Sequence, residues 1–313
     1  MRTDRTNKPK STLKKRVVRY LPIYLMALPA IIYLIINNYI PMAGLVVAFK
    51  NYRYDKGIFG SDWCGLKNFE FLFKTQDAMI ITRNTLLYNL AFILLGTVCS
   101  IAVAILLNEV KSKIFKKAYQ TVVLLPYLLS MVIVAYVVYS FLSPDLGLLN
   151  QILKHFGLDT VSWYSEPKYW PFILVLVNLW CNTGYNCIVY LATIVGIDQG
   201  YYEVASIDGA TSWQKIRHIT LPFLKPIIIT MTLLSIGKIF YADFGLFYHL
   251  PRQSGQLYPV TNVIDTYVYN GLKVSGNIGM SAAANFYQSI VGLLFVLTAN
   301  FAVKKISKEN ALF

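Results

Sequence analysis

The chain has 313 residues, of which 56% are hydrophobic and 14% are charged, with a formal net charge of +14. A soluble domain carries about 25% charged residues, so this composition argues against a soluble fold. The basic residues lie between apolar runs instead of forming one patch, which argues against nucleic acid as a partner.

Six apolar runs are long enough to cross a bilayer, which takes about 20 mostly apolar residues in a helix. The first starts near Tyr20, and the others cover about Ile80 to Leu107, Tyr119 to Leu142, Trp170 to Val195, Ile219 to Tyr241 and Ala284 to Val303. The sequence therefore predicts an all-α polytopic membrane protein with six transmembrane helices.

Lysine and arginine residues predict the orientation of these helices, because they are enriched in cytoplasmic segments. Seventeen lie at the two ends of the chain, between the second and third spans, and before the fifth span, whereas the longer opposite loops hold nine. Both termini are therefore expected in the cytoplasm, with the basic N-terminal segment against anionic membrane lipid.

Four regions follow from this topology. They are a basic cytoplasmic segment at 1–19, a first transmembrane helix with its outer loop at 20–79, a core domain with five transmembrane helices at 80–305, and a cytoplasmic tail at 306–313. Two stretches of the outer loops are expected to be structured. "GLKNFEFLFK" has the apolar spacing of a short helix, and "TNVIDTYVYNG" predicts a short helix or strand.

Motifs for bond chemistry are missing from the sequence. It has no GxxxxGK[ST] phosphate-binding loop, no HExxH and no GxSxG, and its three histidines lie at loops or span ends. Its four cysteines have no CxxC spacing, which favours small buried apolar side chains over a metal site. We expect no catalytic residue, no metal site and no cofactor in this chain.

The fourth span carries a polar stripe. Asn178, Asn182 and Asn186 are four residues apart and share one helix face, and Trp180 and Tyr185 lie near them. Such a stripe either bonds neighbouring helices together or forms the wall of a water-filled path for a hydroxyl-rich solute. Lys238 is a weaker candidate for the same path, because a lysine near a span end is more often interfacial and snorkels.

A compact polar segment, "YYEVASIDGATSWQKIRHITLPFLKP", interrupts the apolar pattern from Tyr201 to Pro226. Its residues predict a helix, a sharp turn and a second helix at the cytoplasmic surface. Gly209 permits the tight bend, and Asp208 is expected to cap the helix that follows.

The order of residues in this segment resembles the EAA loop of binding-protein-dependent ABC importer permeases. The matching residues are Glu203, Ala205, Asp208, Gly209, Ala210, Ile219, Leu221 and Pro222. The sequence departs from the pattern at Val204 and Ile216, and both departures keep an apolar side chain. Stretches such as "NYIPMAGLVVAFKNY" and "FLSPDLGLLNQIL" resemble the carbohydrate-uptake permeases, in particular the subfamily for oligo- and polysaccharides.

This resemblance implies the type I importer fold and a multi-pass protein of the bacterial plasma membrane. The segment 199–222 would couple the chain to a cytoplasmic ATPase dimer, which holds ATP and Mg²⁺. A second homologous permease, forming a heterodimer, would complete the path, and an extracellular solute-binding protein would deliver an oligosaccharide. The alternative is a stand-alone secondary carrier or channel for a small polar solute, which has no use for a coupling loop. An intramembrane enzyme is disfavoured by the missing nucleophile and acids.

Overall fold

The computed structural model describes residues 13–70, 74–274 and 276–306, and most of them are helical. Residues 1–12 of the basic segment, 71–73 of "GLKNFEFLFK" and 307–313 of the tail lie outside this range. The main helices, in chain order, are α1 (Leu13–Leu34), α2 (Gln76–Glu109), α3 (Lys113–Leu128), α4 (Met131–Leu142), α5 (Trp170–Val195), α6 (Gln199–Ile207), α7 (Ser212–Lys215), α8 (Leu221–Ile236), α9 (Phe244–His249), α10 (Ile264–Lys273) and α11 (Ile278–Ile306).

Shorter elements connect these helices. A two-residue antiparallel pair joins β1 (Lys50–Asn51) to β2 (Asp62–Trp63). The remaining turns of helix are Ile35–Tyr39, Ile40–Met42, Ala43–Phe49, Gly57–Gly60, Lys67–Phe69, Leu148–His155, Trp163–Ser165, Pro167–Tyr169, Ile216–Thr220, Gly255–Leu257 and Tyr258–Thr261. The stretch "TNVIDTYVYNG" thus forms most of a helix, α10, and the described part of "GLKNFEFLFK" forms a single turn.

In the described part of the chain, five helices are long and apolar enough to cross a membrane, and a bent pair makes a sixth if it counts as one span. The predicted all-α fold is confirmed, and α5 has the bounds predicted for the fourth span, Trp170 to Val195.

The third span is not the single helix that the sequence predicts. It breaks between α3 and α4, whose axes differ by 98°. Pro126 lies in the last turn of α3, where it can donate no backbone hydrogen bond, and Leu129 is extended. The hydroxyl of Ser130 then accepts a hydrogen bond from the Ile133 N–H at 3.4 Å and starts α4 as a new helix.

The core is built around α5. Its C-terminal half packs with α2 and α8 in an apolar cluster that includes Leu107, Cys187, Ile194 and Leu224. Its other half packs with α4 and α9 in a second cluster. By contrast, the apolar window of the first span, within Tyr20–Phe49, has no buried residue. The surface of that span is therefore open to lipid or to another chain.

Candidate functional site

A polar cavity of about 400 Å³ lies between α2, α5 and the end of α8. A cavity of this size is typical of sites for small solutes. Its polar lining residues are Asn89, Thr97, Ser100, Asn178, Asn182, Asn186, Tyr190, Ser235, Lys238, Tyr241 and Asp243.

The structure brings together four of the six residues predicted for a solute path. Asn178, Asn182 and Asn186 line the cavity along one face of α5, and Lys238 lines it just after α8. Tyr185 is not among the lining residues. It stacks on Tyr127 of α3, with ring centroids 4.4 Å apart and planes 10° from parallel. Trp180 does not line the cavity either, because it lies on another face of α5.

The asparagine amides are largely free to bind a solute. The Asn182 Nδ2 donates to the Asn178 backbone oxygen at 3.0 Å, which leaves its amide oxygen free. Within the described residues, the side chains of Asn178 and Asn186 have no hydrogen-bond partner. The buried Ser100 hydroxyl also has none. A stripe whose purpose was to bond neighbouring helices of this chain would be satisfied by those helices.

An unwound segment at 237–243 follows α8 and borders the cavity. Non-helical backbone at membrane depth requires hydrogen-bond partners, and neighbouring side chains supply them here. The Asn89 Nδ2 donates to the carbonyl oxygens of Ile239 at 2.9 Å and Tyr241 at 3.2 Å. The Gln288 Nε2 of α11 donates to the Phe240 oxygen at 2.8 Å.

A carboxylate holds the far end of this unwound segment. The Asp265 Oδ2, from α10, accepts a hydrogen bond from the Ala242 N–H at 2.8 Å. Burial raises the pKa of the Asp265 carboxyl, and the bond from Ala242 works in the opposite direction. The break after α8 is thus fixed by side chains from three other helices, α2, α10 and α11.

The predicted helix–turn–helix forms at residues 199–215, with the bend at Gly209. The Gly209 φ is +77°, the left-handed region that favours glycine. The Ala210 N–H donates to the Ala205 oxygen at 2.9 Å, and the Gly209 N–H donates to the Ser206 oxygen at 3.1 Å. These two bonds are the Schellman pattern that ends a helix.

The capping role predicted for Asp208 is wrong. Asp208 is the C-terminal cap residue of α6, and Thr211 caps α7 instead. The Thr211 hydroxyl accepts from the Gln214 N–H, and the Gln214 side chain accepts from the Thr211 N–H at 2.7 Å, which completes a capping box. The Schellman turn uses Gly209 and Ala210, so the new helix cannot start until Thr211.

A shallow cleft of about 330 Å³ forms inside this bend. Five residues of the EAA-like pattern line it, namely Ala205, Asp208, Gly209, Ala210 and Ile219. Glu203, Leu221 and Pro222 lie outside the cleft. The Lys215 ammonium donates to the Ser206 hydroxyl at 2.6 Å, and this bond ties α6 to α7.

The exposed face of α6 carries large apolar side chains, of which only Val204 was singled out in the sequence, as a departure from the EAA-like pattern. Tyr201, Val204 and Ile207 are spaced three apart, and Ile207 is 85% exposed. Trp213 of α7 is 66% exposed. A cluster of exposed apolar residues is typical of a surface that contacts another protein or a membrane. The three-residue spacing of these apolar side chains could have predicted the exposed face. The polar residues between them made that spacing hard to recognise.

Residues 93–307 match the family described as binding-protein-dependent transport system inner membrane component. The chain is similar to the polygalacturonan/rhamnogalacturonan transport system permease protein YteP of Bacillus subtilis (strain 168), with 34% identity over 92% of this chain and 89% of that protein.

Two crystal structures are similar to this chain, each with 36% sequence identity. One is a bacterial alginate ABC transporter in complex with alginate pentasaccharide-bound periplasmic protein, with a TM-score of 0.85 over 95% of this chain and 98% of that one. The other is a bacterial ABC transporter involved in the import of the acidic polysaccharide alginate, with a TM-score of 0.86 over 94% and 99%.

Proposed function

The chain belongs to the family of binding-protein-dependent transport system inner membrane components, and on this premise we propose that its polar cavity carries oligosaccharides into the cell. As a member, it is a multi-pass permease subunit of an ABC importer in the bacterial plasma membrane. It is not an enzyme, since ATP hydrolysis takes place on a separate chain. The family works with an ATPase and a solute-binding protein, so a stand-alone carrier or channel is no longer the better interpretation.

The cargo is proposed from the cavity and from what similar proteins handle. Three polar side chains on the walls have no partner among the described residues, namely Asn178, Asn186 and Ser100. Amides and hydroxyls pair with sugar hydroxyls as donors and acceptors. The relatives described above handle polygalacturonan/rhamnogalacturonan and alginate. An oligosaccharide is therefore the solute that best fits both the chemistry of the walls and the relatives.

The segment from Gln199 to Pro222 is proposed to be the contact with the ATPase dimer, which holds ATP and Mg²⁺. Its support is the exposed apolar face of α6 beside the bend at Gly209. The helix runs without a gap from α7, through the π-helical turn Ile216–Thr220, into α8. Closure of the ATPases would push on α6 and α7, and this continuous helix would carry the motion to the cavity at its other end.

The assembly and its orientation complete the proposal. Both termini and the α6–α7 bend face the cytoplasm, as the positive charges predict. A second, homologous permease closes the open side of the cavity, and the unburied first span supplies further surface for that subunit or for lipid. That the second permease is a different chain rests on the resemblance to carbohydrate-uptake permeases. The solute-binding protein would dock on the outer loops.

Changing Ile207 to glutamate tests the ATPase contact. We expect the ATPase to stop co-purifying with the chain, because the change places a charge where an 85% exposed apolar side chain would be desolvated in the interface. The amount of membrane-inserted chain should not change, since the Ile207 side chain is largely exposed in the described part of the chain. Leu146→Glu, at an equally open site in an outer loop, is the matched control and should keep the ATPase. Retention of the ATPase by Ile207→Glu would refute this contact.

Changing Asn182 to leucine tests the solute path. We expect roughly 3- to 10-fold slower uptake in proteoliposomes. This decrease corresponds to the free energy of about one hydrogen bond to a neutral group. The melting temperature should hold, since the amide donates only to a backbone oxygen of its own helix.

Asn89→Leu is the contrasting variant, because it deprives the unwound segment of two hydrogen bonds and should lower the melting temperature. An equal decrease in melting temperature for both variants would mean that Asn182 stabilises the fold and does not bind the solute.

A further inference from the structure

We propose that Arg252 is the anchor of the docking site for the solute-binding protein and that it receives a carboxylate side chain of that protein. This inference rests on the function proposed above, which includes such a partner on the outer loops, and it names the contact. It begins from a second cavity, of about 340 Å³, between α4 and α9. Tyr136, Tyr248 and His249 supply ring walls, and Arg252 is the one lysine, arginine, aspartate or glutamate among its described lining residues.

The cavity lies where two outer loops meet. One loop follows α4, and the other contains α9 and α10. The Ser254 hydroxyl donates to the Tyr164 backbone oxygen at 2.9 Å and joins the two loops two residues after Arg252. In the proposed orientation this junction faces the side from which the solute-binding protein approaches.

Aromatic rings hold the Arg252 guanidinium in place. Its Cζ lies 4.1 Å from the centroid of the Tyr139 ring. Tyr139 packs edge-on against Tyr164, with ring centroids 5.6 Å apart, and Tyr164 packs against the buried Trp170 at 5.2 Å. A guanidinium stacked in this way keeps its N–H donors in a fixed plane, so less side-chain freedom is lost when they bond to a carboxylate.

The charge of Arg252 is not neutralised within the described part of the chain. Arg252 forms no ion pair there, and its side chain donates no hydrogen bond. Asp243, the nearest acidic residue along the chain, lines the other cavity, and the two cavities share no described lining residue. Arg252 is therefore a free cation outside the described wall of the solute path.

The composition of this cavity suits a protein contact. Tryptophan, tyrosine and arginine are enriched at the few positions that dominate protein–protein binding, where they occupy desolvated pockets. The planar guanidinium matches a carboxylate in geometry and can bond to both of its oxygens. An acidic side chain of the partner, inserted between Tyr136 and Tyr248, is thus the group that this cavity fits.

The backbone of the turn that carries Arg252 is strained. Arg252 and Gln253 have φ values of 53° and 55°, and among the described residues they are the non-glycine residues with positive φ. Such conformations persist only where surrounding contacts fix them, and they are concentrated at ligand clamps and other functional sites. Here the Tyr139 stack and the bond from Ser254 fix the turn, so the guanidinium is oriented before the partner arrives.

The test is the binding of the importer's solute-binding protein, with the sugar that it purifies with, to the permease–ATPase complex in phosphatidylcholine nanodiscs, followed by biolayer interferometry. Arg252→Gln should raise the dissociation constant about tenfold. The rise should come from faster dissociation, because a charge anchored in a pocket controls koff, whereas a peripheral charge changes mainly kon. Arg252→Glu should bind more weakly still, since two carboxylates would then meet.

Lys273→Gln is the matched control. The Lys273 ammonium also lies over a tyrosine ring, that of Tyr269 at 5.3 Å, but Lys273 does not line the cavity. Its removal should change neither rate. Tyr136→Ala tests the same cavity without altering the Tyr139 stack, and it decides the matter if Arg252→Gln proves less stable. Tyr136 is 64% exposed, so the fold should not depend on it, and dissociation should again be faster.

Four results would overturn the inference. Unchanged dissociation in Arg252→Gln and Tyr136→Ala is one, and a change in kon alone, which marks a distant steering charge, is another. Equal binding by Arg252→Gln and Arg252→Glu would exclude a carboxylate partner. An effect of Arg252→Gln that requires added phosphatidylglycerol would assign Arg252 to a lipid headgroup. In each case the transport function stands, whereas a solute-binding protein that does not bind the unchanged complex would refute that function together with this inference.

Discussion

Replacing Gly184 with alanine is expected to prevent close packing of α3 on α5 and to cause most of the chain to aggregate in detergent. A Cβ at this position would overlap the carbonyl oxygen and carbon of Val123 and lie 3.0 Å from the Leu124 Cα. All three are backbone atoms, so no side-chain rotation relieves the contact. Small residues permit this approach of helices in membranes, where packing contributes most of the attraction.

The expected cost exceeds the about 1–3 kcal/mol typical of an overpacked core, because a helix backbone must move. The stack of Tyr127 on Tyr185, which is next to Gly184, would open with it. The measurement is the melting temperature and the monodisperse fraction of the purified complex.

Gly96→Ala is the matched control for this prediction. Gly96 is also inside a membrane-spanning helix, but its added Cβ would meet only the Leu179 Cδ2, at 3.9 Å. Alanine is a better helix former than glycine by about 1 kcal/mol, so this variant should melt at the same temperature or higher. If Gly184→Ala and Gly96→Ala have the same melting temperature, the close approach of α3 and α5 is not needed for the fold.

The spans were predictable because a bilayer imposes a length and an apolar composition on each of them. α5 has the predicted bounds because Pro171 in its first turn is a local start signal and Gly196 at its end is a local stop signal. The break between α3 and α4 was not predicted, because apolar composition continues across it. Its cause is local, Pro126 and Ser130, yet a proline in a membrane helix is compatible with both a kink and a continuous span.

The site was partly predictable for a related reason. Helical periodicity put Asn178, Asn182 and Asn186 on one face, and the structure places that face on the cavity. The position of Lys238 depends on the unwinding after α8, which Asn89, Asp265 and Gln288 stabilise from distant parts of the chain. The residues near position 238 give no sign of those distant contacts. From the sequence alone, Lys238 was therefore expected to be an interfacial lysine.

Substitutions at Gly209 are expected to reduce uptake per ATP hydrolysed according to how poorly each residue tolerates a left-handed backbone. Asparagine should retain the most coupling, alanine an intermediate amount and valine the least. Gly209 has φ +77°, and nothing lies within 4 Å of an added Cβ, so within this chain the cost arises from the backbone alone. A left-handed residue costs roughly 1–2 kcal/mol outside glycine, least for asparagine, and a β-branched residue is strained most.

The expected readout is uptake per ATP hydrolysed in proteoliposomes. The bend is exposed, so all three variants should insert normally, while a turn distorted by alanine would misplace α7 against the ATPase. One kcal/mol lowers the equilibrium constant between bent and distorted turns about fivefold, and the effect of valine should exceed that. ATP hydrolysis should continue in variants that still bind the ATPase. Uptake per ATP hydrolysed should therefore decrease more than the rate of ATP hydrolysis.

The order of asparagine and alanine decides between two explanations of the glycine. Asparagine is the larger residue but tolerates the left-handed region, whereas alanine is smaller and does not. If alanine transports better than asparagine, the space in the ATPase groove is what requires glycine, and the bend itself is not under strain. If the asparagine variant transports better, the ATPase contact depends on the fixed geometry between α6 and α7. The segment then acts as a rigid lever on α8.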